Sequence, residues 1–272
     1  MMFTKRFGLF LLAAILLLAF TFAGCSDDDD DSGVNPSEGQ GELMLYLVDD
    51  PAMYDEVNIV VTEVSVHMSD GDQDNWIIIN DTTRTFDLLN LTNGVYDMLG
   101  VAQLDAGHYT QIRLKIGTGS NVVVDGTEYP LDVPSGSQSG LKLNHAFTIE
   151  PNTLYELTLD FDAGSSIIVT GNEQYKLKPV IRVAANETSG TISGTVLPPA
   201  AQPMAWTTLG DDTVSTYASD LTGEFKLMAL PEGSYDVTVT SLAKTYQDTT
   251  ISDVLVVAGQ DTDLGTIELP AL

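Results

Sequence analysis

The chain has 272 residues and is strongly acidic, with 39 Asp and Glu against 11 Lys and Arg and a net charge of −28. No cluster of Lys or Arg offers the basic footprint whose counterion release drives nucleic-acid binding, so nucleic acid is excluded as a partner; charge attachment to anionic headgroups is disfavoured for the same reason. A single cysteine excludes an intramolecular disulfide, so stability must come from hydrophobic cores.

The first 25 residues fall into three zones. Lys5 and Arg6 carry positive charge, and the 14 residues from Phe7 to Phe20 are apolar, shorter than the roughly 20 that a spanning helix needs. Small residues then precede Cys25, the only cysteine. Phe22-Ala23-Gly24-Cys25 resembles the lipobox of bacterial lipoproteins, with Phe22 where Leu is commoner. The resemblance implies a signal peptide over residues 1–24. It also implies a diacylglycerol thioether with acyl groups (palmitate) on Cys25, and more than one acyl chain gives lasting membrane anchorage.

Residues 25–41 follow as a tether. Five aspartates, Asp27 to Asp31, repel one another, and the Gly, Ser and Pro beyond them favour no packed element. Fully extended, the tether would hold a domain about 50 Å from the membrane. The aspartates serve at least as a solubilising spacer. They also resemble the surface-export signal of Bacteroidota lipoproteins, which implies an outer-membrane address facing the cell exterior. The chain beyond the signal has 9 basic and 39 acidic residues, a charge of −30.

From Glu42 onward strand patterns dominate. Val60, Thr62, Val64, Val66 and Met68 alternate with Val61, Glu63, Ser65 and His67; Ile112, Leu114 and Ile116 alternate with Gln111, Arg113 and Lys115. Tyr155, Leu157, Leu159 and Phe161 alternate with Glu156, Thr158, Asp160 and Asp162. Turn clusters such as Asp125-Gly126 separate the runs, and only Leu88 to Leu99 has room for a short helical turn. The polar stretch Ala184 to Ser189 marks a boundary. The chain is therefore predicted to be all-β, with two tandem antiparallel β-sandwiches over residues 42–184 and 189–270.

Residues 41 to 184 resemble a prokaryotic domain of unknown function, family 4382, found in secreted lipoproteins. The blocks that carry the resemblance include Leu47-Val48-Asp49-Asp50-Pro51, Trp76, Asp87 to Gly94, Ala106 to Arg113, Val133 to Lys142, Leu159 to Ala163 and Leu177 to Ile181. It implies a β-rich extracytoplasmic domain and no known reaction. The second unit resembles the carboxypeptidase regulatory-like family through Ser193-Gly194-Thr195-Val196, Asp220 to Phe225, Leu230 to Tyr235 and Gly265 to Leu269. That resemblance implies a seven-stranded, transthyretin-like sandwich of the carbohydrate-binding-like class, with Phe225 and Tyr235 filling its core. A fold of this kind confers no activity by itself.

Candidate chemistry is sparse. Asp160 and Asp162 share a strand face and, with loop oxygens such as those of Asp49 and Asp50, are candidates for a hard cation such as calcium; the same residues equally suit a solvated face or turn caps. No other cofactor is expected. His67, His108 and His145 lack metal-ligand spacing. Ser135, Ser137, Ser139 and Lys142 lie in a Gly/Ser segment that is the best candidate for a binding loop, with a Ser–Lys hydrolase dyad as the enzymatic alternative. Trp76 and Trp206 can stack on sugars, although Trp76, before three isoleucines, suits core or edge packing. Thr82, Thr213 and Thr249 lie in tripeptides similar to the Bacteroidota O-glycosylation motif. No catalytic constellation stands out. The expected function is a non-enzymatic binding or adhesion module on the outer envelope, with a glycan or envelope protein as partner. The alternatives are a carbohydrate-capture lipoprotein of a glycan-uptake system and a Ser-dependent hydrolase.

Overall fold

The structure is a computed structural model and describes residues 39–69, 75–134, 139–171 and 174–272. The expectations placed on residues 1–38, Cys25 and Asp27 to Asp31 among them, and those on Ser135 and Ser137, lie outside the described residues.

The chain first runs through β1 (Gln40–Asp50), β2 (Glu56–Met68), β3 (Trp76–Asn80), β4 (Arg84–Asp87), β5 (Asp97–Asp105), β6 (Gly107–Ile116) and β7 (Asn121–Val124). It continues through β8 (Thr127–Asp132), β9 (Leu141–Ile149), β10 (Leu154–Asp162), β11 (Ile167–Val169), β12 (Tyr175–Leu177) and β13 (Ile181–Ala185). One sheet has the order β13-β10-β1-β5. The other runs β11-β12-β8-β7-β2-β6-β9, with β3 and β4 also pairing with β2. The sheets are mixed rather than purely antiparallel, since β1 pairs with β10 and β12 with β8 in parallel. The helical turn expected near Leu88 is a 3-10 turn, Leu88–Asn90, which the Asp87 side chain caps by accepting from Leu89 N.

The inward-facing residues of these sheets form one hydrophobic cluster, with Leu43, Leu45, Ile59, Tyr109, Ile112, Leu157 and Leu159 almost fully buried. Alternation in β6 and β10 gives these faces directly, but β2 departs from the sequence reading. Val57, Ile59 and Val61 point inward, then a register shift between Val61 and Glu63 hands the inward role to Val64 and Val66. One extra residue in a strand reverses the parity of all that follows. The shift turns Glu63, Ser65 and His67 to the outer face, beside Arg113.

A 3-10 turn, Asn186–Thr188, joins β13 to β14 (Ser189–Leu197), and Ser189 Oγ donates to Ala185 O at 2.9 Å. Then follow β15 (Pro203–Leu209), β16 (Asp212–Tyr217), β17 (Glu224–Pro231), β18 (Gly233–Ser241), β19 (Thr249–Val256) and β20 (Asp261–Glu268). They make a three-stranded sheet, β17-β14-β20, facing a four-stranded one, β16-β15-β18-β19. A second hydrophobic cluster lies between them, built on Ile192, Val196, Phe225, Leu227, Val237 and Val256. Gly223 closes the turn into β17 with φ +76°, and a Cβ there would lie 2.1 Å from Val196 O, so only glycine fits. Phe225 is buried as expected. Tyr235 is only half buried at the core's edge, and its hydroxyl donates to Pro231 O at 2.8 Å. Its ring therefore closes a corner rather than filling the centre.

Both clusters belong to one compact unit, Glu38–Leu272. Because the second cluster draws only on residues 192–269, a fragment of residues 189–272 should unfold in a single cooperative urea transition. A broad, non-cooperative transition would show that it depends on the first sandwich.

Candidate functional site

Two groups of polar side chains stand out, one at the junction of the sandwiches and one on an open sheet face.

At the junction, the outer face of the β13-β10-β1-β5 sheet meets the second sandwich. Parallel pairing of β1 with β10 sets Asp50 opposite Asp162 and Val48 opposite Asp160, while β13 sets Arg182 opposite Asp160. The four aspartates named from sequence thus lie at one end of two adjacent strands. One oxygen of each is bonded, and Asp49 Oδ2 is buried without a partner among the described residues. Asp160, 7% exposed, is ion-paired with Arg182, whose other guanidinium nitrogen donates to Ala229 O of the second sandwich. Asp50 accepts from Ser215 N at 3.0 Å, Asp162 from Ser165 N at 2.7 Å, and Asp49 from Ala163 N at 2.9 Å. Asn93, with φ 54°, accepts from Lys226 N at 2.8 Å and donates to Glu224 O at 3.2 Å. These bonds tie β1, β13 and the turn before β5 to β16 and β17.

Burial pushes the Asp49 carboxyl up to about 9, with the charges of Asp50, Asp160 and Asp162 adding and the Ala163 amide opposing. Burial and the Asp160 charge push Asp50 up to about 8, against the Ser215 amide and Arg182. Burial also raises Asp160, with Arg182 opposing. A cleft of about 130 Å³ opens beside Asp50, Asp160, Asp162, Arg182 and Asp212. Among the described residues, no group of three or more His, Cys, Asp or Glu side chains is arranged to hold a metal ion. At this cluster Arg182 and the Asp50–Ser215 bond tie the first sandwich to the second.

The second group lies on the outer face of the large sheet. Register places Trp76, His67, Gln111 and Asn144 in one row across β3, β2, β6 and β9; Ser65, Arg113 and Lys142 form the adjacent row, and Glu63 pairs with Lys115 beyond it. Arg113 is tightly fixed. Its Nε donates to Ser65 Oγ at 3.0 Å, its Nη2 to Glu63 Oε1 at 3.0 Å, and its guanidinium carbon stands 4.2 Å from the centre of the Trp76 ring. Lys142 Nζ lies 5.3 Å from the same ring centre, within cation–π range. The His67 ring meets Trp76 edge-on at 5.2 Å, and Gln111 Nε2 donates to Asn144 Oδ1 at 2.7 Å. Burial works against ionisation of Glu63, yet Lys115 and Arg113 hold its carboxyl below the ordinary range.

Of the Ser/Lys candidates, the structure therefore takes Lys142 out of the loop and places it on a strand against an aromatic ring, while Ser139 precedes that strand. Trp76 sits half exposed on the outer face rather than in the core. Trp206 Nε1 donates to Thr240 Oγ1 at 3.1 Å in the second sandwich, remote in register from Trp76. Thr82 and Thr213 are exposed and Thr249 is half buried at the start of β19. Arg113 and Arg182, the organising residues of the two groups, were not singled out in the sequence. The outward alternation of Gln111, Arg113 and Lys115 was the one legible signal.

Fold and site define an all-β protein of two joined sandwiches with a cationic, aromatic sheet face. Residues 40–179 match the family described as Domain of unknown function (DUF4382), and the chain belongs to that family. No curated protein matches the chain. Among solved structures, the TIE protein of Bacillus anthracis is similar at 13% identity and a TM-score of 0.23, over 85% of this chain and 34% of that one. The minor pilin of Streptococcus agalactiae is similar at 13% identity and a TM-score of 0.24, over 84% of this chain and 96% of the pilin. A fimbrial protein from Bacteroides ovatus reaches 8% identity and a TM-score of 0.24, over 86% of this chain and 50% of the other. The chain thus spans about a third of the first protein and half of the last. At these TM-scores the likenesses carry no argument about function. Among the described residues no helix is long and apolar enough to cross a membrane.

Proposed function

We propose that the chain is a non-enzymatic binding or adhesion module, held at the outer face of the envelope by a lipidated Cys25 and its acidic tether. The observation that carries the binding reading is the Trp76 face. A tryptophan, two cations and an amide pair are fixed side by side on open sheet, where side chains rather than backbone meet solvent. Surface clusters of this composition are characteristic of recognition sites. The second sandwich, read as carboxypeptidase regulatory-like, serves as a rigid partner that braces the first through Arg182 and Asn93. The carbohydrate-capture reading is favoured by one feature, the Gln111–Asn144 pair beside an aromatic ring, which suits hydroxyl-rich ligands.

The test is an array of glycans and extracellular proteins probed with the purified chain and with a Trp76→Ala, Asn144→Ala double variant. Every ligand found should be lost by the double variant; a ligand retained at full affinity would place the binding face elsewhere.

The anchor makes its own prediction. Cys25→Ala should abolish lipid labelling and shift the protein from the membrane pellet to the soluble fraction. Unchanged membrane retention would sink the lipoprotein reading.

A further inference from the structure

We infer that the Trp76 face takes an acidic polysaccharide, a polymer of uronate sugars, whose carboxylates sit at Lys142 and Arg113. This deepens the binding reading above and rests on it. Three observations on the face converge.

The first is charge. Arg113, Lys115 and Lys142 are three of only nine Lys and Arg beyond Arg6, in a chain of net charge −28. All three stand on this face, and the acid among them, Glu63, is shared by Arg113 and Lys115. Among the described residues Lys142 has no carboxylate within ion-pair reach, and it is exposed. An anionic ligand is repelled by most of this protein, and among the described residues of this face it meets three cations against one acid.

The second is register. Arg113 and Lys142 are direct cross-strand partners. Like charges directly opposite one another destabilise a sheet. The Trp76 ring offsets part of that repulsion by taking both cations. An anion bridging the two from the solvent side removes the rest.

The third observation selects a glycan over an acidic peptide. A peptide binds a sheet by adding a strand to its edge, where backbone groups are free. Across this face the β2–β6–β9 ladders use the backbone groups between those strands and leave side chains to a ligand lying on it. A peptide would instead add at the outer edge of β9, the strand that ends the sheet. The row next to the cations, about 7 Å along the strands, holds the Gln111–Asn144 pair. Their mutual bond uses one donor of Gln111 and one lone pair of Asn144, leaving the Asn144 amide N–H groups and the Gln111 carbonyl for vicinal hydroxyls. Four strands span about 14 Å, room for more than one sugar ring.

The experiment measures binding of the detergent-extracted full chain to immobilised polygalacturonate, dextran and polyglutamate, at about 0.15 M salt so that only short-range charge counts. Polygalacturonate should bind best. Lys142→Ala should weaken it at least ten-fold, Lys142→Arg should retain it, and Trp76→Leu should weaken it with the far-ultraviolet dichroism unchanged. Equal binding to polyglutamate, no binding to polygalacturonate, or an unaltered affinity in Lys142→Ala would each overturn the inference. Dextran binding that is lost in Trp76→Leu and indifferent to Lys142 would overturn it too, while leaving the binding-face reading standing.

Discussion

Arg182→Met should lower the free energy of unfolding of the intact chain by about 3–5 kcal/mol. Among the described residues Arg182 is the one cation bonded to Asp160, a carboxylate only 7% exposed, and removing it leaves that carboxylate buried without a charged partner. The same guanidinium also serves Ala229 O across the junction, and Ala229 itself has φ 55°, a conformation that needs outside support. Replacing both members, as Arg182→Met with Asp160→Leu, should recover most of the loss, because well-packed apolar groups can replace a buried pair without cost. Urea unfolding followed by far-ultraviolet dichroism measures both. A loss below about 1 kcal/mol in the single variant would mean the pair is as weak as a surface ion pair and the joint is held elsewhere.

The fold should also weaken steadily as pH rises from about 5 to about 9. Asp49 and Asp50 have folded-state values of about 9 and about 8, above the ordinary 3.8. A carboxyl raised in the native state is protonated there while the unfolded chain has already lost the proton. Its contribution is full below pH 3.8 and is lost as pH climbs to the native value. Over that interval the unfolded chain binds fewer protons than the folded one, so stability falls as pH rises. Burial raises Asp160 in the same sense. Glu63 and Asp261 are lowered, so their contributions change only in acid, below the carboxylate range, and do not mask the trend. Asp50→Asn keeps an oxygen for Ser215 N and removes the charge, so it should flatten the profile and raise the urea midpoint at pH 8.5. A midpoint independent of pH between 5.5 and 8.5 in the parent chain would show that water reaches these carboxylates.

The second sandwich was more legible in the sequence than the first. Its strands are even in length, 6 to 9 residues, its turns carry Gly223 and Gly233, and Ile192, Val196, Phe225, Leu227, Val237 and Val239 alternate into one core. In the first sandwich β6 and β10 are equally clear, but the alternation in β2 holds only beyond its bulge. A bulge cannot be seen in a run of valines, since Val60 and Val61 look alike to any period of two. Asp160 and Asp162 were correctly placed on one face. Their chemistry was not legible, because the partner that defines it, Arg182, comes from another strand, and Ser215 from another sandwich.

The amino-acid sequence alone determined class, charge and the sites where the chain turns. Alternation, glycine positions and the acid excess are local properties, and each is set by a residue and its near neighbours. The binding face was decided only by tertiary structure. Trp76, Arg113 and Lys142 are separated by tens of residues, and what joins them is the pairing register of β3, β2, β6 and β9. Register follows from which strands share a core, a balance of burial over the whole sheet, and one bulge after Val61 was enough to turn Ser65 and His67 toward those cations.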